Sequence, residues 1–199
     1  GFESMQKTFN KNDNVSIIIA PKSGNVYDKD VLELVYKITE DAWQTPYSTR
    51  VDSVTNYQHT EAEDDDLIVE DLLLDPADLD VAKIAKIKRV SMAEPMLVNR
   101  IVSDKGHVTM INVTVQLPEK NKTQEVDDVT RSVRALISQY QQNNPNIDFH
   151  LAGIVMMNNA FQEEAKADAE TLIPGMFLAI LFMLTILLRS VLGMASTLV

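Results

Sequence analysis

With 199 residues the chain is long enough to bury a real hydrophobic core, as one ordinary domain or two small ones. It has no cysteine, which excludes disulfide frameworks, thiol nucleophiles and cysteine-held zinc or iron-sulfur centres. Its 29 acids against 18 bases give a net charge of −11 and exclude a nucleic-acid binder, whose phosphate contacts need clustered Lys and Arg.

Val15 to Ala20 (VSIIIA) is short and β-branched and is closed by Pro21 and Ser23-Gly24-Asn25, the pattern of a buried strand followed by a turn. Helix signals begin at Asp28 or Asp30. Glu33 stands at capping-box distance from Asp30, and Val31, Leu34, Val35, Ile38 and Ala42 form one apolar face that Pro46 brings to a stop. Thr49 to Val54 alternates and returns as a second strand, which makes a β-α-β unit.

An acidic connector comes next. Between Val51 and Ala82 there are eleven acids and no Lys or Arg, so the remainder of the chain is balanced at 18 against 18. Glu61, Glu63 and Asp64-Asp65-Asp66 lack the turn glycine and the spaced bidentate Glu of a calcium loop, and the segment reads as a solvated loop. Leu67 to Leu74 is a candidate short strand. Asp75-Pro76 then supplies an N-cap with proline at the first helical position, for a helix over Ala77 to Ala93 that ends at Pro95.

Met96 to Ser103 and Thr109 to Leu117 flank Asp104-Lys105-Gly106 and are predicted to form a hairpin, with Ile111, Val113, Val115 and Leu117 on one face. Val126, Val129, Val133, Leu136, Ile137 and Tyr140 mark an amphipathic helix ending near Asn143-Asn144-Pro145, and Ile147, Phe149 and Leu151 alternate as a last strand. Strands, hairpin and helices in this order predict an α+β layered fold of ferredoxin-like type.

Leu172 to Leu188 (LIPGMFLAILFMLTILL) is an uncharged run of seventeen residues, apolar on every side, at the lower limit for spanning a bilayer. Asn158 to Leu188 is expected to be one long helix, bent at Pro174-Gly175. Arg189-Ser190 reads as a turn before a further apolar run. Arg189 closes the span while Glu163, Glu164, Asp168 and Glu170 precede it against Lys166 alone, so the positive-inside rule puts Arg189 in the cytoplasm and everything before Leu172 outside it. A start at Gly1 and an end inside an apolar run suggest a piece of a longer membrane protein. The expected organisation is an external domain over 1–157, a helical connection over 158–171, a membrane helix over 172–188 and the beginning of another over 191–199.

Chemistry-bearing patterns are scarce. His59, His107 and His150 are isolated from one another and from any ligand spacing, and no nucleophile elbow, phosphate loop or dinucleotide fingerprint occurs. Carboxylates in a solvated stretch lack the burial that tunes a catalytic pKa, so neither an enzyme nor a cofactor or metal is expected.

Three stretches carry a family resemblance: FNKNDNVSIIIAPKSGNVYDKDVLELVYKIT at Phe9 to Thr39, VDSVTNYQHTEAEDDDLIVEDLL at Val51 to Leu73, and FHLAGIVMMNNAFQEEAKADAETLIPGMFLAILFMLTILLRSVLG at Phe149 to Gly193. In these the chain resembles the resistance-nodulation-division (RND) superfamily of proton-driven exporters, in its MmpL-like branch of lipid and hydrophobic-compound exporters. The resemblance implies a periplasmic porter domain with its adjoining membrane helix in a multi-pass protein of the bacterial inner membrane. Its implied partners are the bilayer, the remaining helices, a second external domain, a hydrophobic or lipid substrate, and other copies of itself. It also implies that Asp168, the acid at the foot of the helix, together with Pro174 and Gly175, couples the domain to the membrane, while proton-relay residues lie in other helices. A membrane-anchored external binding or sensor domain is the alternative reading of the same composition, and a scaffolding subunit is a third.

Overall fold

A computed structural model of the chain describes residues 13–63 and 66–196. The chain divides into two compact units, Gly1–Asn159 and Ala160–Val199. In the first, strand β1 (Asp13–Pro21), helix α1 (Lys29–Ala42) and strand β2 (Ser48–Asp52) are followed by a long insertion, then by β5 (Thr109–Val115), helix α3 (Lys122–Asn143) and β6 (Ile147–Ala152). The insertion holds strands β3 (Gln58–Glu63) and β4 (Asp66–Asp71), a 3-10 turn (Pro76–Asp78) and helix α2 (Val81–Ala93). The four main strands lie in the order β2-β5-β1-β6, and every neighbouring pair is antiparallel.

This is the β-α-β-β-α-β arrangement of the ferredoxin-like type, in which β5 inserts between the two strands of the first β-α-β unit. β1 is one of two inner strands: its Val15, Ile17 and Ile19, all fully buried, meet Val113, Ile111 and Thr109 of β5 on one side, while Ile17 and Ile19 also face Leu151 and Phe149 of β6 on the other. Alternation puts these residues on one face of the sheet, and Val31, Leu32, Val35 and Ile38 of α1 with Val126, Val129, Val133 and Ile137 of α3 complete the core. Tyr140 of α3 donates a 2.6 Å hydrogen bond to Asp41 of α1, which ties the two helices. Burial, together with the hydrogen bond to and the charge of Asp41, raises the Tyr140 pKa.

Several local expectations are corrected. The helix from Asp30 has no capping box: α1 starts one residue earlier than Asp30, and Glu33 pairs instead with Lys29 at 3.9 Å. Asp28 stands at the N-cap, but its carboxylate accepts from Ser23 Oγ at 2.8 Å and Asn25 Nδ2 at 2.6 Å in the preceding turn. Asp75 and Pro76 open only the 3-10 turn. α2 begins after Asp80, whose carboxylate accepts from the Lys83 N–H at 2.6 Å.

Met96 to Ser103 is not a strand. Both edges of β5 are taken, by β1 and β2, so no ladder is open to it, and the segment turns through Asn99 at φ +61 with isolated bridges at Val98–Val102 and Val102–Thr109. The acidic connector, expected as a loop, pairs β3 with β4 from Gln58–Asp71 to Glu63–Asp66. Its centre, Asp64-Asp65, lies outside the described residues, as does the part of the first matching stretch before Asp13.

Helix α4 runs from Ile154 to Ser196 with Pro174 inside it. The backbone stays helical through Arg189-Ser190, where a turn was expected. Neither residue breaks a helix, and Arg favours one. The last three residues of the expected further span, 197–199, lie outside the described residues.

Candidate functional site

The three residues assigned by resemblance to the membrane junction all lie on α4 and all are exposed. Asp168 belongs to a charged stretch in which Lys166 reaches Glu170 at 4.0 Å, a solvated i,i+4 pair of little energetic weight. Pro174 lacks the backbone donor that would close onto the Glu170 carbonyl, and a Cβ at Gly175 would meet nothing within 4 Å. The apolar surface around and beyond Pro174 decides which solvent this helix needs. Eleven large apolar side chains from Leu172 to Ile186 are each about half exposed or more. At about 1.5–3 kcal/mol per side chain, leaving them in water would cost on the order of 20 kcal/mol, more than a domain's whole stability. A bilayer removes that cost, and this helix is long and apolar enough to cross one.

In the domain, both helices of the β-α-β-β-α-β frame cover one face of the sheet, and the opposite face carries Asn14, Ser16, Asn112 and Thr114. These polar groups satisfy one another: Asn14 Nδ2 donates to Asn112 Oδ1 at 2.9 Å and to Ser16 Oγ at 3.4 Å, and the Asn14 Oδ1 accepts from the Ile154 N–H at 3.3 Å. At the β2 end of this sheet lies an open groove of about 780 Å³. Its sheet side is formed by Arg50 and Asp52 of β2 with Met110 and Asn112 of β5, and Arg50 Nε donates to Asp52 Oδ1 at 2.7 Å.

Glu40 and Trp43 border the groove from the end of α1, and the insertion contributes Tyr57, Asp71, Met96 and Arg100. The turn that carries Tyr57 into place is fixed by Asn56, whose side chain accepts from the Ser53 N–H at 2.8 Å and donates to the Val51 carbonyl at 2.7 Å. Burial raises the Asp71 pKa, with a hydrogen bond from Gln58 acting against it. Burial first, then the charge and hydrogen bonding of Glu94, raise that of Tyr57. On the other side of the β3–β4 hairpin, Lys86 of α2 donates to Glu61 and holds its carboxyl below the usual range, helped by the charges of Lys86, His59 and Arg89 and opposed by desolvation.

Sequence reasoning missed the groove because its residues come from six separate places in the chain and match no motif. The one legible signal is Trp43, the single tryptophan, which stands just after the apolar stripe of α1 and is 44 % exposed. Of the histidines, His107 Nδ1 lies 3.0 Å from Ser103 Oγ, His59 lies 3.8 Å from Glu61, and His150 is exposed on β6. Among the described residues no three His, Asp or Glu side chains gather as a metal site would require.

A sequence model of the MMPL family matches residues 2–199. The chain belongs to the MMPL family. The match covers the ferredoxin-like domain and the apolar helix together, so the two units are parts of one RND-type membrane transporter rather than of an enzyme. Membership also accounts for the unburied apolar helix, because an MMPL protein resides in a membrane and meets the bilayer and the other parts of the transporter. No curated protein matches the chain.

Proposed function

We propose that this MMPL chain is the periplasmic porter domain, with its adjoining membrane helix, of a proton-driven exporter of lipids or other hydrophobic compounds. The observation that carries the reading is a single one: a helix-sheet domain with a groove on the sheet face opposite its two helices is joined by a continuous helix, α4, to a segment long and apolar enough to cross a bilayer. Leu172 to Leu188 holds no ionisable residue, so the proton path runs through other helices of the protein and reaches this domain as movement. Asp168, Pro174 and Gly175 are the coupling positions in this reading. The acids before the span and Arg189 after it favour a domain outside the cytoplasmic face of a bacterial inner membrane, in a multi-pass protein. Neighbouring helices, a second external domain and further copies of the protein complete the assembly.

The test is transport by the full-length protein in proteoliposomes. An imposed pH gradient is expected to drive movement of a fluorescent lipid or hydrophobic dye, and a protonophore to stop it. Transport that ignores the protonophore would remove proton coupling. Binding of the dye with no transport under any gradient would favour the membrane-anchored binding or sensor domain instead.

A further inference from the structure

We propose that the groove beside Trp43 binds a lipophilic organic cation. The groove volume of about 780 Å³ falls in the range of small-molecule sites, about 300–1,000 Å³, and its lining is about equally polar and apolar. Trp43 and Met96 remain 44 % and 57 % exposed there, with Tyr57 beside them, so a ligand with an apolar body gains by covering them. Indole and phenol faces attract a positive charge, and the methionine thioether is polarisable.

The sign of the charge is set by the lining. Five charged side chains border the groove: Glu40, Asp52 and Asp71 against Arg50 and Arg100. Arg50 is tied to Asp52 at 2.7 Å, which leaves Glu40 and Asp71 against Arg100 alone. Glu40 stands three residues before Trp43 at the end of α1, so carboxylate and indole share one helix face. One wall belongs to the segment that has eleven acids and no Lys or Arg between Val51 and Ala82, of which Asp52 and Asp71 line the groove. An anionic head group would meet these acids and Glu40 with Arg100 as the one arginine not already tied to a carboxylate of the lining.

The inference deepens the exporter reading, since it names the head-group class of a transported compound, and it rests on that reading only for transport. Binding is measured without transport. The whole chain in nanodiscs of zwitterionic lipid is titrated with tetraphenylphosphonium and with tetraphenylborate, two ions of the same shape and opposite charge, with protein-free nanodiscs subtracted. Trp43, the single tryptophan, reports occupancy through its fluorescence. A saturable change with the cation and none with the anion is expected. Glu40→Gln should weaken the cation about threefold and Asp71→Asn no more than that, while Arg100→Gln should tighten it. A Trp43→Phe variant should lose affinity by equilibrium dialysis.

An equal response to both ions, a preference for the anion, or a Glu40→Gln variant with unchanged affinity and an unchanged urea midpoint would overturn the proposal. So would a Trp43→Cys side chain that reacts with a polar thiol reagent in this chain but is shielded in the full-length transporter, the parent's own labelling subtracted, because a neighbouring domain would then fill the groove. Cation binding without proton-driven transport would overturn the exporter reading and leave the groove standing. Transport of hydrophobic compounds without cation binding would do the reverse.

Discussion

Gly153, between β6 and α4, is the position where a single methyl group should do most damage. It has φ +106, and a Cβ there would lie 2.5 Å from the Asn14 carbonyl oxygen and 3.1 Å from Val15 Cα, where ordinary contact begins at 3.4 Å. Both neighbours are backbone of β1, an inner strand paired on both edges, so neither can swing aside as a side chain would. Alanine at position 153 must therefore bear the strain of this backbone region, about 1–3 kcal/mol, and a crowding term of about 1–3 kcal/mol. We expect Gly153→Ala to destabilise the domain by about 2–6 kcal/mol. Gly24→Ala is the control: φ is +71, yet nothing lies within 4 Å, so only the left-handed penalty of about 1 kcal/mol applies. Urea unfolding of the chain in nanodiscs, followed by Trp43 fluorescence, gives both values on one scale. If the two substitutions cost the same within about 0.5 kcal/mol, close approach to β1 is not what requires glycine at 153.

Burial raises the Asp71 pKa above its ordinary 3.8, so its contribution to stability is full below 3.8 and is lost as pH rises through the raised value. Asp71→Asn should accordingly be more stable than the parent at pH 7 and no different below pH 3.8, and equal urea midpoints at pH 7 would contradict this. Glu125 is 5 % exposed and accepts from the backbone N–H groups of Glu119, Lys120 and Asn121 at 2.9, 3.0 and 3.0 Å, so Glu125→Gln, which replaces an acceptor by a donor, should cost about 2–3 kcal/mol in the same assay. The chain has no native cysteine, so Ser138→Cys and Ser190→Cys give clean labelling by an impermeant thiol reagent in intact cells with a permeabilised outer membrane; label at 138 only is expected, and the reverse would invert the topology. Ala165→Pro or Ala167→Pro, each costing about 3 kcal/mol of helix, should abolish export by the full-length protein at normal membrane levels and with a protease-resistant domain, and normal export by both would reduce α4 to an anchor.

Wherever one-sided burial leaves a period, the fold was legible. The alternation of Ile111, Val113 and Val115 and the helical stripe from Val126 to Ile137 both face the core as read. Two kinds of feature were not legible. Met96 to Ser103 has strand-like residues but no available edge, and edge availability is a property of the assembled sheet. The acidic hairpin hid because its charges suggest solvation, while what orders it is backbone pairing and the contact of Glu61 with Lys86, twenty-five residues away. The junction residues Asp168, Pro174 and Gly175 could be named from resemblance, but the groove draws on residues from Glu40 to Asn112 and only folding brings them together.

In the proposed membrane arrangement, charge placement sets where water ends along α4. Glu170 is the last ionisable residue before the apolar run and Arg189 the next, and nineteen helical steps of about 1.5 Å separate them by about 28 Å. The hydrocarbon core of a bilayer is about 30 Å thick, so the run is just long enough to span it. Pro174 then falls about 6 Å beyond Glu170, just inside the boundary, where the helix has lost one backbone bond. In that arrangement the Glu170 carbonyl that this bond would have joined lies on the wet side, where water can take its place. In the proposed exporter, a bend centred on Pro174-Gly175 therefore costs least near the boundary between the apolar run and the charged segment before it. The same bend deeper in the hydrocarbon would leave a carbonyl without any partner.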